Sequence, residues 1–253
     1  MSDNSTIEWT DAKMTRGGPV WTGEVRLVPE LLDQPLRWKK PRRIFVNSMS
    51  DLFHEDVPDE FILSVWRTMA NASQHTFQIL TKRPTRMRDW LRKGLMIGDF
   101  IAPPLDNVWL GVSTEDQATA DERIPLLLQT LAAVRWISAE PLLSPIDLTS
   151  IKRTQAEGYM RPLDGRFNKL GWIVAGGESG PKARPSHPDW FRSLRNQCAA
   201  MGVPFFFKQW GEWGPPVAEG DVPPGALEGR LYKVGKNAAG RRLDGVEHNE
   251  YPA

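Results

Sequence analysis

Six short apolar runs, each ending in a cluster of polar residues, constrain this chain more than any other feature. They span 43–51, 76–83, 108–116, 134–140, 172–179 and 204–210. Short apolar runs bounded by turn residues read as buried strands. Helix-like stretches follow most of them, and strands that alternate with helices pair in parallel. The fold class is therefore α/β. The architecture is a partial or near-complete (β/α) barrel of about six to seven mostly parallel strands, with a C-terminal irregular tail or hairpin. In such sheets and barrels, ligands bind beyond the carboxyl ends of the strands. The polar clusters stand at those ends, so function is placed there.

With 253 residues the chain has about the length of one α/β barrel. We assign residues 1–213 to the barrel and 214–253 to an extension packing on it. A net charge of +1 gives no global signal for nucleic acid. No apolar run approaches the roughly 20 residues needed to span a bilayer. The polar start of the chain lacks a signal-peptide apolar core. The expectation is a cytoplasmic protein without a membrane partner; nothing in the sequence specifies an oligomeric state. A single cysteine, Cys198, excludes a disulfide framework or a multi-cysteine metal site within the chain.

Taken in order, Ile7–Asp11 reads as a short strand or cap, and Val28–Leu32 as the start of a short helix around Pro29. Arg37-Trp-Lys-Lys-Pro-Arg-Arg43 places five basic residues in seven, either a solvated connection or a phosphate-contacting patch. The first strand ends in Asn47, Ser48, Ser50 and Asp51, with His54 and Glu55 behind. Asp51, His54 and Glu55 are either weak metal candidates or turn and cap residues. A helix is predicted from about Pro58, with Phe61, Ile62, Val65 and Met69 on its apolar face. The second strand ends in Lys82 and Arg83, which could face an anion. In the basic stretch that follows, Met87, Trp90 and Leu91 should pack inward.

Beyond the third strand, Ser113 or Thr114 caps a helix from about Thr119 to Gln129 that Pro125 interrupts or restarts. Glu115 is an alternative partner for a sugar hydroxyl. Glu140 ends the fourth strand just before Pro141, as a general acid or base or as a structural carboxylate paired with an arginine. Residues 149–169 read as an inserted surface loop. Gly176-Gly-Glu-Ser-Gly180 ends the fifth strand, where glycines allow close backbone approach to a ligand or simply a tight turn. Trp190, Leu194, Cys198 and Met201 fall on one helix face, so Cys198 reads as a core residue. The sixth strand ends in Lys208, Gln209 and Trp210. Leu231–Val234 and Arg241–Asp244 are predicted to form a terminal hairpin.

Several of these motifs together resemble one known family. They are Ile7-Glu-Trp-Thr-Asp-Ala12, Phe45-Val-Asn-Ser-Met-Ser-Asp-Leu-Phe-His54, Gln78-Ile-Leu-Thr-Lys-Arg-Pro84, Leu110-Gly-Val-Ser-Thr-Glu-Asp116, Ser138-Ala-Glu-Pro141, Gly176–Gly180 and Phe207-Lys-Gln-Trp-Gly211. The chain is similar, over nearly its whole length, to the phage-associated bacteriophage gp-thirty-seven/gp-sixty-eight family of unknown function. That family looks like a divergent branch of the radical-SAM barrels, and its members occur in phages, prophages and bacteria. The resemblance implies a 4Fe–4S cluster held by three clustered cysteines, S-adenosylmethionine as cofactor, and a radical formed from it. Here the cysteine loop is absent: after Ala12 the chain reads Lys13-Met-Thr-Arg-Gly-Gly-Pro-Val-Trp-Thr-Gly23 and rejoins the family pattern near Arg26. The standard cluster is predicted absent.

Three readings follow. The first is a cluster-less homologue that keeps at most a pocket for S-adenosylmethionine or a nucleotide. Its cofactor candidates are Ser113, Glu115, Gly176, Gly177 and Glu178. Its substrate candidates are Asn47, Ser48, Asp51, Arg83, Gln209 and Trp210, and its catalytic candidates Glu140, Lys82 and Lys208; no metal ligand is assigned. The second is a redox-independent barrel enzyme using Glu140 or Glu178 with Lys82 or Lys208. The third is a nucleic-acid-binding module built on Arg37–Arg43 and Arg86–Lys93 with nearby tryptophans.

Overall fold

All six apolar runs form strands: β1 (Arg43–Val46), β2 (Thr76–Thr81), β3 (Val108–Ser113), β4 (Val134–Ala139), β5 (Trp172–Gly176) and β6 (Phe205–Gln209). They lie in one sheet whose spatial order follows chain order. That is the connectivity of an incomplete (β/α) barrel, as the alternating pattern required. The registers of β1 with β2, β4 with β5 and β5 with β6 are parallel. The computed structural model describes residues 7–9, 12–15, 18–21, 24–47, 50–96, 104–153, 158–165, 168–215 and 231–253. These fall into two compact units, Met1–Gly111 with Gln129–Ala133, and Val112–Leu128 with Val134–Ala253.

In the first unit, α1 (Asp59–Asn71) starts directly after Pro58, with Asp59 and Glu60 complementing the positive end of the helix dipole. Phe61, Ile62, Val65, Trp66 and Met69 are its buried stripe. The second helix, α2 (Pro84–Met96), buries Met87, Trp90 and Leu91 as its spacing predicts, and Trp90 meets Trp66 at 5.6 Å. Ile44, Val46, Phe77 and Ile79 from the strands complete this core. Ile7–Trp9 pairs antiparallel with Val25–Leu27, and Ala12–Thr15 with Gly18–Trp21. Pro29–Leu31 forms a single short helical turn.

In the second unit, α3 (Gln117–Leu127) starts two residues earlier than its pattern suggests. Its cap is Asp116, not Ser113 or Thr114: the Asp116 carboxylate accepts the Thr119 N–H while the Thr119 hydroxyl accepts the Asp116 N–H. This reciprocal pairing satisfies two otherwise orphaned donors. Pro125 lies inside the helix near its last turn and does not divide it. Along α4 (Pro188–Met201) the buried face is Phe191, Leu194 and Cys198. Trp190 is only half-buried and Met201 is exposed, so the expected stripe is shifted by one residue at its start. Phe191 packs on Phe207 of β6 at 5.1 Å, which fixes that shift. Residues 149–169 carry a small hairpin, Ile151–Lys152 with Tyr159–Met160, rather than a bare loop.

The predicted C-terminal hairpin does not form. Tyr232–Lys233 pairs instead with Trp213–Gly214, and Lys236–Ala239 is a short helix. The last residues run antiparallel beside β6. The Phe207 N–H donates to the His248 carbonyl at 3.0 Å, and Phe206 bridges Asn249. This covers an edge that would otherwise expose unpaired backbone groups. Tyr251 stacks on Trp172 at 5.1 Å, and the Trp172 indole donates to the Glu250 carbonyl. Among the described residues, no helix is long and apolar enough to cross a membrane.

Candidate functional site

In the first unit, the strand-end candidates gather on Asp51. Its buried carboxylate accepts the Thr81 hydroxyl at 2.8 Å, the Phe53 N–H at 2.9 Å, the Lys82 N–H at 3.2 Å and an Arg83 guanidinium N–H at 3.2 Å. Thr81 in turn accepts the Arg83 N–H. A carboxylate with this many donors holds the turns after β1 and β2 together, and it leaves few lone pairs for a ligand. Asn47 is buried with φ 58°, the left-handed region that asparagine tolerates at a turn. The Lys82 side chain is exposed, and that of Arg83 is about one-third exposed. Ser48 lies outside the described residues. His54 accepts the Asp56 N–H at its Nδ1 and lies 3.6 Å from the Asp56 carboxylate. No group of three or more metal-binding side chains occurs among the described residues.

The second unit places two polar networks at the ends of its strands. In the first, Glu140 accepts the Lys208 ammonium at 2.8 Å on Oε2 and the Gln209 amide at 3.0 Å on Oε1. The same Gln209 amide donates to the Ser179 hydroxyl at 3.0 Å. Glu140 is thus a paired carboxylate, with a lysine rather than an arginine as partner. The Glu140 side chain is 16% exposed and that of Lys208 44%, so the carboxylate is the shielded member and the ammonium the accessible one. Parallel pairing explains the meeting: Val174 stands between Ser138 and Phe206, and a register shift after Ala175 sets Gly176 opposite Gln209, so Lys208 and Gln209 both arrive at the strand end where Glu140 stands.

The second network is an alternation of charge. Arg123 donates to the Ser113 carbonyl at 2.8 Å and to Glu115 at 3.0 Å. Arg184 grips Glu178 through both its side chain and its backbone N–H, at 2.7 to 2.8 Å. These bonds hold the Glu178 carboxyl below its ordinary range, and Glu115 adds to the field that raises Arg184. Glu178 is therefore held ionised.

The glycines have close-packing reasons for being glycine. A side chain at Gly177 would collide with the Trp210 carbonyl, and one at Gly211, with φ +83°, would collide with the Glu178 carbonyl. A Cβ on Gly176 would lie 3.1 Å from Glu140 Oε1, so its absence leaves room for that carboxylate. Trp210 packs in the core against Phe191 and Phe207, with its indole donating to the Arg242 carbonyl. Cys198 is fully buried on α4, and burial, then Glu250, push its thiol up to about 12.

Ser179, Arg123 and Arg184 are network members that the sequence reading does not single out. Arg123 sits eight residues from its partner and Arg184 six, spacings that no motif marks. A family model described as a protein of unknown function (DUF5131) matches residues 4–252. No curated protein and no solved structure matches the chain.

Proposed function

We propose, from the premise that this chain belongs to the DUF5131 family, that it is a cluster-less relative of the radical-SAM barrels that binds a nucleotide-like ligand. S-adenosylmethionine is the first candidate, and the site is the carboxyl ends of β4, β5 and β6. The phage association of the resembling family, and action in the cytoplasm, belong to the same reading. A 4Fe–4S cluster does not fit the donors of this chain. It requires three accessible thiolates, whereas Cys198 is alone, buried, and held protonated.

The observation that carries the reading is the Lys208–Glu140–Gln209–Ser179 network. An ammonium has three donors, and among the described residues Lys208 gives one to Glu140. Glu140 fixes its position, and the remaining donors suit the carboxylate of S-adenosylmethionine or the phosphate of a nucleotide. Ser113 stands at the end of β3, beside the arginine-clamped Glu115, and is the candidate for the ribose hydroxyls. Calorimetric titration with S-adenosylmethionine and adenosine monophosphate tests this. Lys208→Ala should weaken binding about tenfold, the loss of one charge-assisted hydrogen bond. Equal affinity in wild type and variant, or none in either, would contradict the reading.

A redox-independent acid–base enzyme is the second reading, and Glu140 with Lys208 is its best pair. Glu178 is a poor proton donor, because Arg184 holds it ionised. Turnover that survives Glu140→Gln would sink this reading.

A further inference from the structure

The first unit carries a basic segment that contrasts with the other arginine and lysine clusters described. In α2, Arg86 pairs with Asp59, Arg88 with Asp89, and Lys93 with Asp59, while Arg92 donates to Gln129. In α4, Arg192 and Arg195 both pair with Asp244. Each of these cations has a carboxylate or amide partner. Between residues 37 and 43, by contrast, Arg37, Lys39, Lys40 and Arg42 are exposed, and none of them forms an ion pair among the described residues. Like charges concentrated in one short stretch repel each other, and that cost is offset when a polyanion binds.

The backbone of this segment is held in place. Buried His75 accepts the Arg42 N–H on Nδ1 at 3.1 Å, and its Nε2 lies 2.9 Å from the Pro35 carbonyl. Both contacts are satisfied together by the tautomer protonated at Nε2. Gln74 donates to the Trp38 carbonyl, and the Thr76 N–H donates to the Arg42 carbonyl. The Arg42 guanidinium lies 4.4 Å over the Trp38 ring, which orders a planar fork at the surface. The backbone that carries the cations and the Arg42 guanidinium are thus pre-positioned, which lowers the ordering cost of binding.

We propose that Arg37, Lys39, Lys40 and Arg42 form a docking strip for the phosphate backbone of single-stranded nucleic acid, read without regard to base sequence. The planar, stacked arginine beside a tryptophan favours a nucleic-acid strand over a lipid surface, where flexible point charges suffice. None of these four residues belongs to the strand-end network of the second unit.

The test is fluorescence anisotropy of a labelled oligothymidylate against the full chain at graded salt. Comparison variants are Arg37→Gln/Lys39→Gln/Lys40→Gln and, as control, Arg88→Gln/Arg92→Gln. Circular dichroism should show both variants folded, because the replaced side chains are exposed or surface-paired. Wild type should weaken steeply with salt. The triple variant should lose about 2 from the slope of log affinity against log salt, at roughly 0.7 per phosphate contact. The control should match wild type. No binding at low salt, an unchanged slope in the triple variant, or an equal loss in the control would overturn the proposal. So would binding to anionic phosphatidylserine vesicles without binding to the oligonucleotide. The triple variant should keep the wild-type affinity for S-adenosylmethionine, which separates this proposal from the strand-end reading.

Discussion

The strand-end carboxylate of Asp51 clasps two turns to each other. Four different donors converge on it, two of them backbone N–H groups. Removing the carboxylate strands these donors in a shielded place, where each unsatisfied group is costly. Asp51→Ala should lower stability by about 3 kcal/mol in urea unfolding. Asp51→Asn, which keeps the acceptor oxygen but loses the charge, should cost less. Equal stability of Asp51→Ala and wild type would show that the turns after β1 and β2 are held otherwise. Cys198 makes a related point, since burial that makes it useful in the core also removes it from thiolate chemistry.

At the scale of elements, the tight contact between the ends of β5 and β6 is the feature most sensitive to sequence. Gly177 and Gly211 let the turn at 177–178 and the Trp210–Gly211 backbone press together, and the Gly177 N–H donates to the Gln209 carbonyl. Gly177→Ala should cost at least about 3 kcal/mol, because the obstacle is backbone and cannot swing aside. A thermal melt matching wild type would contradict that account. The strands themselves are legible in the sequence because each apolar run is short and bounded by turn residues, as in Thr76–Thr81. The face of α1 is legible because Phe61, Ile62, Val65 and Met69 keep a strict spacing. The cap of α3 is less so, because Ser113, Thr114 and Asp116 all have capping side chains and only geometry selects among them. The partners of Glu140 and Glu178 are not legible. Lys208 is 68 residues away from Glu140, and Arg184 reaches Glu178 only because the loop folds back. The C-terminal pairing fails as a prediction because Gly235 and Gly240 look like hairpin turns, while the true partner of Tyr232–Lys233 lies before the intervening segment.

For the molecule as a whole, several carboxylates are held ionised by their neighbours. Glu178 is lowered by Arg184, Asp116 by the Thr119 N–H, and Asp244 by Arg192 and then Arg195. A carboxyl whose folded pKa is depressed contributes stability above its unfolded value, and that contribution is lost as pH falls through the folded value. The ordinary values are 4.5 for Glu178 and 3.8 for the two aspartates. Melting temperature should therefore hold from pH 7 to about 5 and fall below that. A rising melting temperature on acidification would reverse the sign of this account. Iron and sulfide analysis after anaerobic reconstitution tests the proposal that the chain works without an iron–sulfur cluster. We expect iron and sulfide at background level and unchanged affinity for S-adenosylmethionine. Stoichiometric iron and sulfide per chain, surviving gel filtration, would contradict it.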